Sequence, residues 1–260
     1  MQRAFFAVAV LIGLVLASAT QAADNKATTP ANKIDQKWWA DRHAGNVAQL
    51  EKGDTELLLI GDSITHGWDN QPELYQKYFA KYKPINLGFG GDQTQHVLWR
   101  LDNLPLEKIT PKAAMVMIGT NNIGSNTTTP KEAAEGIVAI VKKLRTQYPK
   151  IQIIVLNVFP RDEKPDGERR IRVNEINSYL PALLKGIKNV EIVDINKGFL
   201  DKDGVLPKET MGDFLHPGKV GYDYWGGAVE PLIAKKFQQY DNAGKKPARR
   251  QPSRIRDLFR

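Results

Sequence analysis

The 260-residue chain contains no cysteine. Disulfides, thiolate nucleophiles and cysteine-ligated metals are thereby excluded. Long apolar runs are absent after the first two dozen residues, so nothing beyond them reads as a membrane-spanning helix. Histidine is scarce, with four in the chain, which leaves few candidates for a base that works near neutral pH. A large charge surplus is also missing from the body of the protein. The formal net charge is +8, but residues 244–260 carry seven Lys and Arg against Asp257, and Arg3 adds one more. Residues 24–243 therefore net only +1, and nothing in them resembles a nucleic-acid-binding module. What is present is a globular balance of 42% hydrophobic and 25% charged residues. That supports a sizeable core in one domain.

The ends of the chain differ from its body. Met1-Gln2-Arg3 is followed by an almost wholly apolar stretch over 4–16 and a small-residue end, Ala17-Ser18-Ala19-Thr20-Gln21-Ala22-Ala23. This pattern predicts a secretory signal peptide over 1–23, cleaved after Ala22 or Ala23, and hence a secreted or periplasmic protein. An uncleaved membrane anchor is the alternative, but the apolar run is shorter than the ~20 residues a span needs. Residues 24–36 are polar and alanine-rich and are expected to form a linker. The folded domain is expected over 37–240. Residues 241–260 are expected to be a basic, disordered tail able to make weak contact with an anionic surface.

Within the domain, apolar runs alternate with helix-like segments. Strands are predicted at Leu57–Ile60, Pro84–Phe89, Ala113–Ile118, Ile151–Val158 and Val190–Ile195. Val, Ile and Leu dominate them without clean polar alternation, as in strands covered on both faces. Helices are predicted near 71–82, 93–102, 130–147, 168–186 and 219–239. The third opens on Thr129-Pro130-Lys131-Glu132, with Thr as N-cap and Pro in the first turn. Five strands alternating with helices predict an α/β fold with a parallel sheet between helical layers. Right-handed crossovers then bring the loops that begin at 61, 90, 119, 159 and 196 to one edge.

Those loops carry the parts that acyl transfer by a serine requires. The first is Gly61-Asp62-Ser63, a strand ending in a small-polar turn that presents the Ser63 hydroxyl at the carboxyl edge of the sheet. The second is Asn86-Leu87-Gly88-Phe89-Gly90-Gly91-Asp92, whose glycines let backbone N–H groups approach a ligand. A dinucleotide loop would need a further glycine where Gln93 stands. The third, Gly119-Thr120-Asn121-Asn122, offers an amide donor, although Asn also serves as an ordinary turn residue. Of the histidines, His43 precedes the first strand, and His66 and His96 have no carboxylate at an obvious orienting spacing. His216 lies in Asp213-Phe214-Leu215-His216-Pro217-Gly218. Pro217 keeps His216 out of helical geometry, and Asp213 is three residues away to hold its tautomer.

Taken together, these stretches resemble the SGNH subgroup of the GDSL hydrolases, and most of all the catalytic-subunit-like esterases of the platelet-activating-factor acetylhydrolase IB group. The similarity runs from about Leu57 to Lys235. It rests on Gly61-Asp62-Ser63, the long block Gly90–Leu101, Gly119-Thr120-Asn121-Asn122, the block Pro160–Pro165 and Asp213-Phe214-Leu215-His216. The resemblance implies a three-layer α/β/α flavodoxin-like fold with a five-stranded parallel sheet. It implies Ser63 as nucleophile, His216 as general base and Asp213 as its orienter. The oxyanion donors it implies are the Ser63 N–H, the Gly91 N–H and the Asn121 side chain. No cofactor and no metal are implied, and a homodimer is compatible with it.

The acetylhydrolase subunits are cytosolic, whereas this chain begins with a signal-peptide pattern. The expected activity is therefore removal of short acyl groups, above all acetyl, from a small acylated carbohydrate or lipid outside the cytoplasm. Two alternatives stand beside it. One is a phospholipid-active acetylhydrolase or lysophospholipase. The other is a catalytically silent carbohydrate-binding or scaffold protein on the same fold.

Overall fold

The computed structural model describes residues 25–125 and 128–243. The expected signal peptide over 1–23 and the tail beyond Ala243 lie outside the described residues. Five parallel strands form one sheet: β1 (Leu57–Gly61), β2 (Pro84–Gly88), β3 (Ala113–Met117), β4 (Gln152–Leu156) and β5 (Val190–Val193). Their spatial order is β2-β1-β3-β4-β5. The chain steps outward from β1 to β2 and then back across to β3. Strand order thus reverses beside β1, and a crevice opens there at the carboxyl edge, where open α/β sheets bind ligands.

The strands are apolar because helices cover both faces. The helices are α1 (Lys37–Leu50), α2 (Ser63–His66), α3 (Pro72–Phe79), α4 (Thr94–Asp102), α5 (Thr120–Gly124), α6 (Pro130–Gln147), α7 (Glu168–Leu183) and α8 (Lys219–Ala243). Alternate residues of β1 divide between two cores. Leu58 and Ile60 join the cluster under α4, α6 and α7, whereas Leu57 and Leu59 join the one under α3 and α8. At ~25 cal/mol per Å² of buried apolar surface, these two layers supply the main drive to fold. β5 differs. All four of its residues are only partly buried, as befits the outer edge of the sheet.

Local signals placed the longest crossover helix well. In α6, Thr129 Oγ1 accepts from the Glu132 N–H at 3.2 Å, and a Glu132 carboxylate oxygen accepts from the Thr129 N–H at 2.7 Å. This reciprocal cap is worth about 1 kcal/mol.

Two expectations need correction. Residues 25–36 do not hang free as a linker. Ala27 is fully buried, Thr94 Oγ1 donates to its carbonyl at 2.7 Å, and Asn25 Nδ2 donates to Glu135 at 2.7 Å. The segment is a strap laid over α4 and α6. At the other end, α8 continues to Ala243, past the expected boundary at 240.

Candidate active site

The candidate site is built from four strand-following loops. Ser63 is the first residue of α2, directly after Asp62, whose carboxylate accepts from the Ile64 N–H at 3.0 Å. The turn from β1 into α2 is tight enough to need glycine at its entrance: a Cβ on Gly61 would lie 2.1 Å from Thr65 Oγ1 and 2.4 Å from the Met117 carbonyl. This places Ser63 at the helix start with its own N–H among the unpaired first-turn donors.

His216 arrives from the loop before α8, 153 residues away in sequence. Its Nε2 lies 2.9 Å from Ser63 Oγ. Its Nδ1 lies 2.6 Å from Asp213 Oδ2. A carboxylate can only accept, so Nδ1 carries the proton and Nε2 is left to accept from the serine hydroxyl. Asp213 is locked to its own loop as well: its other oxygen accepts from the His216 N–H at 2.7 Å and the Leu215 N–H at 3.0 Å. The intervening Phe214 takes a left-handed φ of 57° to close this turn. Partial burial is the largest influence on the Asp213 carboxyl and pushes its pKa up. The bonds from the His216 ring and from both backbone N–H groups outweigh it and hold the carboxyl below its ordinary range. The pair is open to solvent, with His216 41% and Asp213 57% exposed at the side chain.

Two further loops supply donors. Gly91 has φ +65°, a conformation other residues rarely adopt. Its N–H has no partner among the described residues. Asn121 donates one amide hydrogen to the Asp92 carbonyl at 3.0 Å, which leaves the second for a ligand. The neighbouring Asn122 plays a different part. It is fully buried and fastens the start of α4, accepting from the Thr94 N–H at 3.0 Å and donating to Thr94 Oγ1 at 3.1 Å.

Burial lowers the pKa of each of the remaining histidines. His96 Nδ1 accepts from the Gln93 N–H at 2.9 Å, and burial, reinforced by the Lys33 charge, lowers its pKa to about 4. His66 Nδ1 accepts from the Gly90 N–H at 3.3 Å. Burial first and the Arg42 charge second lower its pKa. His43 stacks on Trp39 and is likewise lowered by burial. Contrary to expectation, His66 and His96 do each have a carboxylate nearby, Asp69 at 3.7 Å and Asp92 at 3.9 Å. Their Nδ1 atoms accept from backbone N–H groups, however, so these rings support loops.

Residues 59–224 match the model of the GDSL-like lipase/acylhydrolase family. The chain belongs to that family. It is 39% identical over 201 residues to platelet-activating factor acetylhydrolase IB subunit alpha2 of Rattus norvegicus, covering 77% of this chain and 86% of that protein. It is 34% identical over 206 residues to the alpha1 subunit of Homo sapiens, covering 79% and 87%. The fold is that of a GDSL-like lipase from Bacteroides thetaiotaomicron, at a TM-score of 0.61 and 21% identity over 76% of this chain and 97% of that one. As a GDSL-family acylhydrolase the protein is a carboxylic ester hydrolase.

Some residues that shape this acylhydrolase site escape sequence reasoning. Asp92 is fully buried and binds Arg100 Nε at 2.9 Å and Trp39 Nε1 at 2.9 Å. The Arg161 guanidinium donates to Thr120 Oγ1 at 3.0 Å and to the Thr120 carbonyl at 3.2 Å, beneath Asn121. One signal was available for the first pair. Arg100 lies three residues after Val97, on the buried face of α4, where an unpaired arginine would be costly.

Proposed function

We propose that this protein is a secreted or periplasmic serine esterase that removes short acyl groups, above all acetyl. Ser63 is the nucleophile, His216 the general base and Asp213 the orienter. The observation that carries this assignment is the 2.9 Å contact between Ser63 Oγ and His216 Nε2, within proton-transfer reach. Ser63 Oγ attacks the ester carbonyl while His216 Nε2 takes its proton. The oxyanion is received by the N–H groups of Ser63 and Gly91 and by the free hydrogen of Asn121 Nδ2. Collapse breaks the bond to the alcohol oxygen, which leaves with the proton from His216. Water then attacks the acyl-enzyme, again giving its proton to His216, and the carboxylic acid departs as Ser63 recovers its hydrogen. Asp213 stabilises the imidazolium in each half and stays ionised throughout.

Acetylated carbohydrate is the substrate class favoured here. The signal-peptide pattern at 1–23 supports an extracytoplasmic site of action. The solvent-open His216–Asp213 pair suits an acyl group projecting from a larger, polar molecule. Trp38 adds a flat aromatic face: it is 44% exposed, lies alongside the His66 ring, and would stand 3.5 Å from a Cβ on Gly90. Sugar rings stack on such exposed indoles. The names of the acetylhydrolase IB relatives favour an acetylated phospholipid as the second candidate.

The test is hydrolysis of p-nitrophenyl acetate by the mature protein and its Ser63→Ala variant. The wild type turns over and Ser63→Ala falls to background. Equal rates would remove Ser63 from the mechanism. Comparing acetylated sugars with micellar phospholipid then separates the two substrate classes.

A further inference from the structure

The strap over residues 25–36 lies outside the span that matches the family model, yet it ends on the oxyanion loop. Lys33 Nζ donates to the Gly91 carbonyl at 2.6 Å and lies 3.5 Å from Asp92 Oδ1. These two residues command both of the donors that the β1 loop does not supply. Gly91 is itself a donor through its N–H, and a glycine at φ +65° has no side chain to hold it in place. Its carbonyl lies in the following peptide, and holding that plane restricts the ψ of Gly91 and so limits the directions in which its N–H can point. The next carbonyl, of Asp92, accepts from Asn121 Nδ2 at 3.0 Å and so aims the amide donor. One ammonium group, with its side chain 18% exposed, thus grips the loop at the point where the two donors meet.

The strap is seated firmly enough to deliver that lysine. Ala27 is buried and bonded to Thr94, the Ala31 N–H donates to the Gln95 carbonyl at 3.1 Å, and the Gln36 N–H turns back to the Lys33 carbonyl at 2.8 Å. We infer that Lys33 is a positioning residue for ester hydrolysis, through which the segment following the signal-peptide pattern preorganises the Gly91 and Asn121 oxyanion donors. The inference rests on the esterase mechanism proposed above. An oxyanion hole gains its effect from donors fixed before the reaction begins, so loosening them lowers the rate of the chemical step and leaves ground-state binding nearly untouched.

The experiment uses the mature full-length protein and p-nitrophenyl acetate, with Lys33→Met, Lys33→Arg and, as a control, Lys37→Met, which removes a nearby exposed lysine that pairs with the exposed Asp41. Lys33→Met is expected to lower kcat roughly ten-fold, less than the about 10²–10³ of losing a donor outright, with KM within about two-fold. Lys33→Arg recovers most of the rate, Lys37→Met matches the wild type, and thermal midpoints stay together. A Lys33→Met variant with wild-type kcat overturns the inference. So does a loss of rate matched by a loss of thermal stability, or one that Lys33→Arg does not relieve. Wild-type hydrolysis that survives Ser63→Ala would instead bring down the esterase mechanism, and this inference with it.

Discussion

At Asp62 a carboxyl sits directly beside the proposed nucleophile, Ser63, with no exposure to solvent. One oxygen caps α2 through Ile64 and the other has no partner among the described residues. Burial, the largest influence, raises its pKa from an ordinary 3.8 to about 7, against the opposing pull of the Ile64 N–H and of His216. The folded protein therefore binds a proton here that the unfolded chain has already released. The stability this provides is complete below about pH 4 and is lost as pH rises through about 7. Asp62→Asn keeps the cap and removes the titration. Urea unfolding at about pH 5 and about pH 8 should show the variant gaining on the wild type as pH rises. Parallel behaviour of the two proteins would mean that Asp62 stays ionised in the fold. The same reasoning explains why Asp62 could not be recognised in advance. Its neighbours in sequence mark the nucleophile, and only the packing of α2 on the sheet shows that the carboxyl is sealed.

At the scale of elements, what could be read from sequence was whatever apolar periodicity reports. All five strands lie within a few residues of their expected bounds, because β1 to β4 are covered on both faces and are mostly apolar, with Asn86 in β2 and Gln152 in β4 as polar exceptions. The predicted fourth strand, Ile151–Val158, is longer than the observed Gln152–Leu156, because the Val158 N–H leaves the sheet to bond Asn177. α1 was not legible. Its buried positions are Trp39, His43, Asn46 and Leu50, so half of its inner face is polar and the spacing carries no hydrophobic signature. The strap was illegible for a related reason. It is held by hydrogen bonds to residues as much as 110 positions away, and no local pattern announces them. The candidacy of Ser63 and of Asp213 with His216 was readable because each lies in a compact loop motif. The oxyanion scaffold was not, because Lys33, Asp92 and Arg100 meet only in three dimensions. One hydroxyl next to that scaffold, with two hydrogen bonds, can be removed with little change of shape. Thr94 is buried, donates to the strap and accepts from Asn122. Thr94→Val should destabilise the protein by about 1–3 kcal/mol in urea unfolding, since it strands two buried polar groups. A change below a few tenths would show that the strap contributes little to folding.

Considered as a whole molecule, the protein carries nearly all of its excess positive charge at one end. Residues 24–243 are close to neutral and residues 244–260 are strongly basic. The stretch begins where α8 ends at Ala243. α8 packs under the sheet on the face shared with α3. Removing 244–260 is expected to leave p-nitrophenyl acetate hydrolysis unchanged and to reduce retention on anionic vesicles at low salt, an effect that added salt should erase in the full-length protein. Loss of folded, soluble protein on that deletion would assign the stretch a structural role.

The bond between Asp213 and His216 joins two residues only three apart, while the contact between His216 and Ser63 crosses 153. The acid–base half of the proposed chemistry is thus assembled within a single turn. The other half depends on the entire sheet. On the proposed mechanism, hydrolytic activity is expected to vanish with the first loosening of the β1–β2–β3 edge, well ahead of any global loss of helix. Turnover would then serve as a sensitive gauge of one sheet edge.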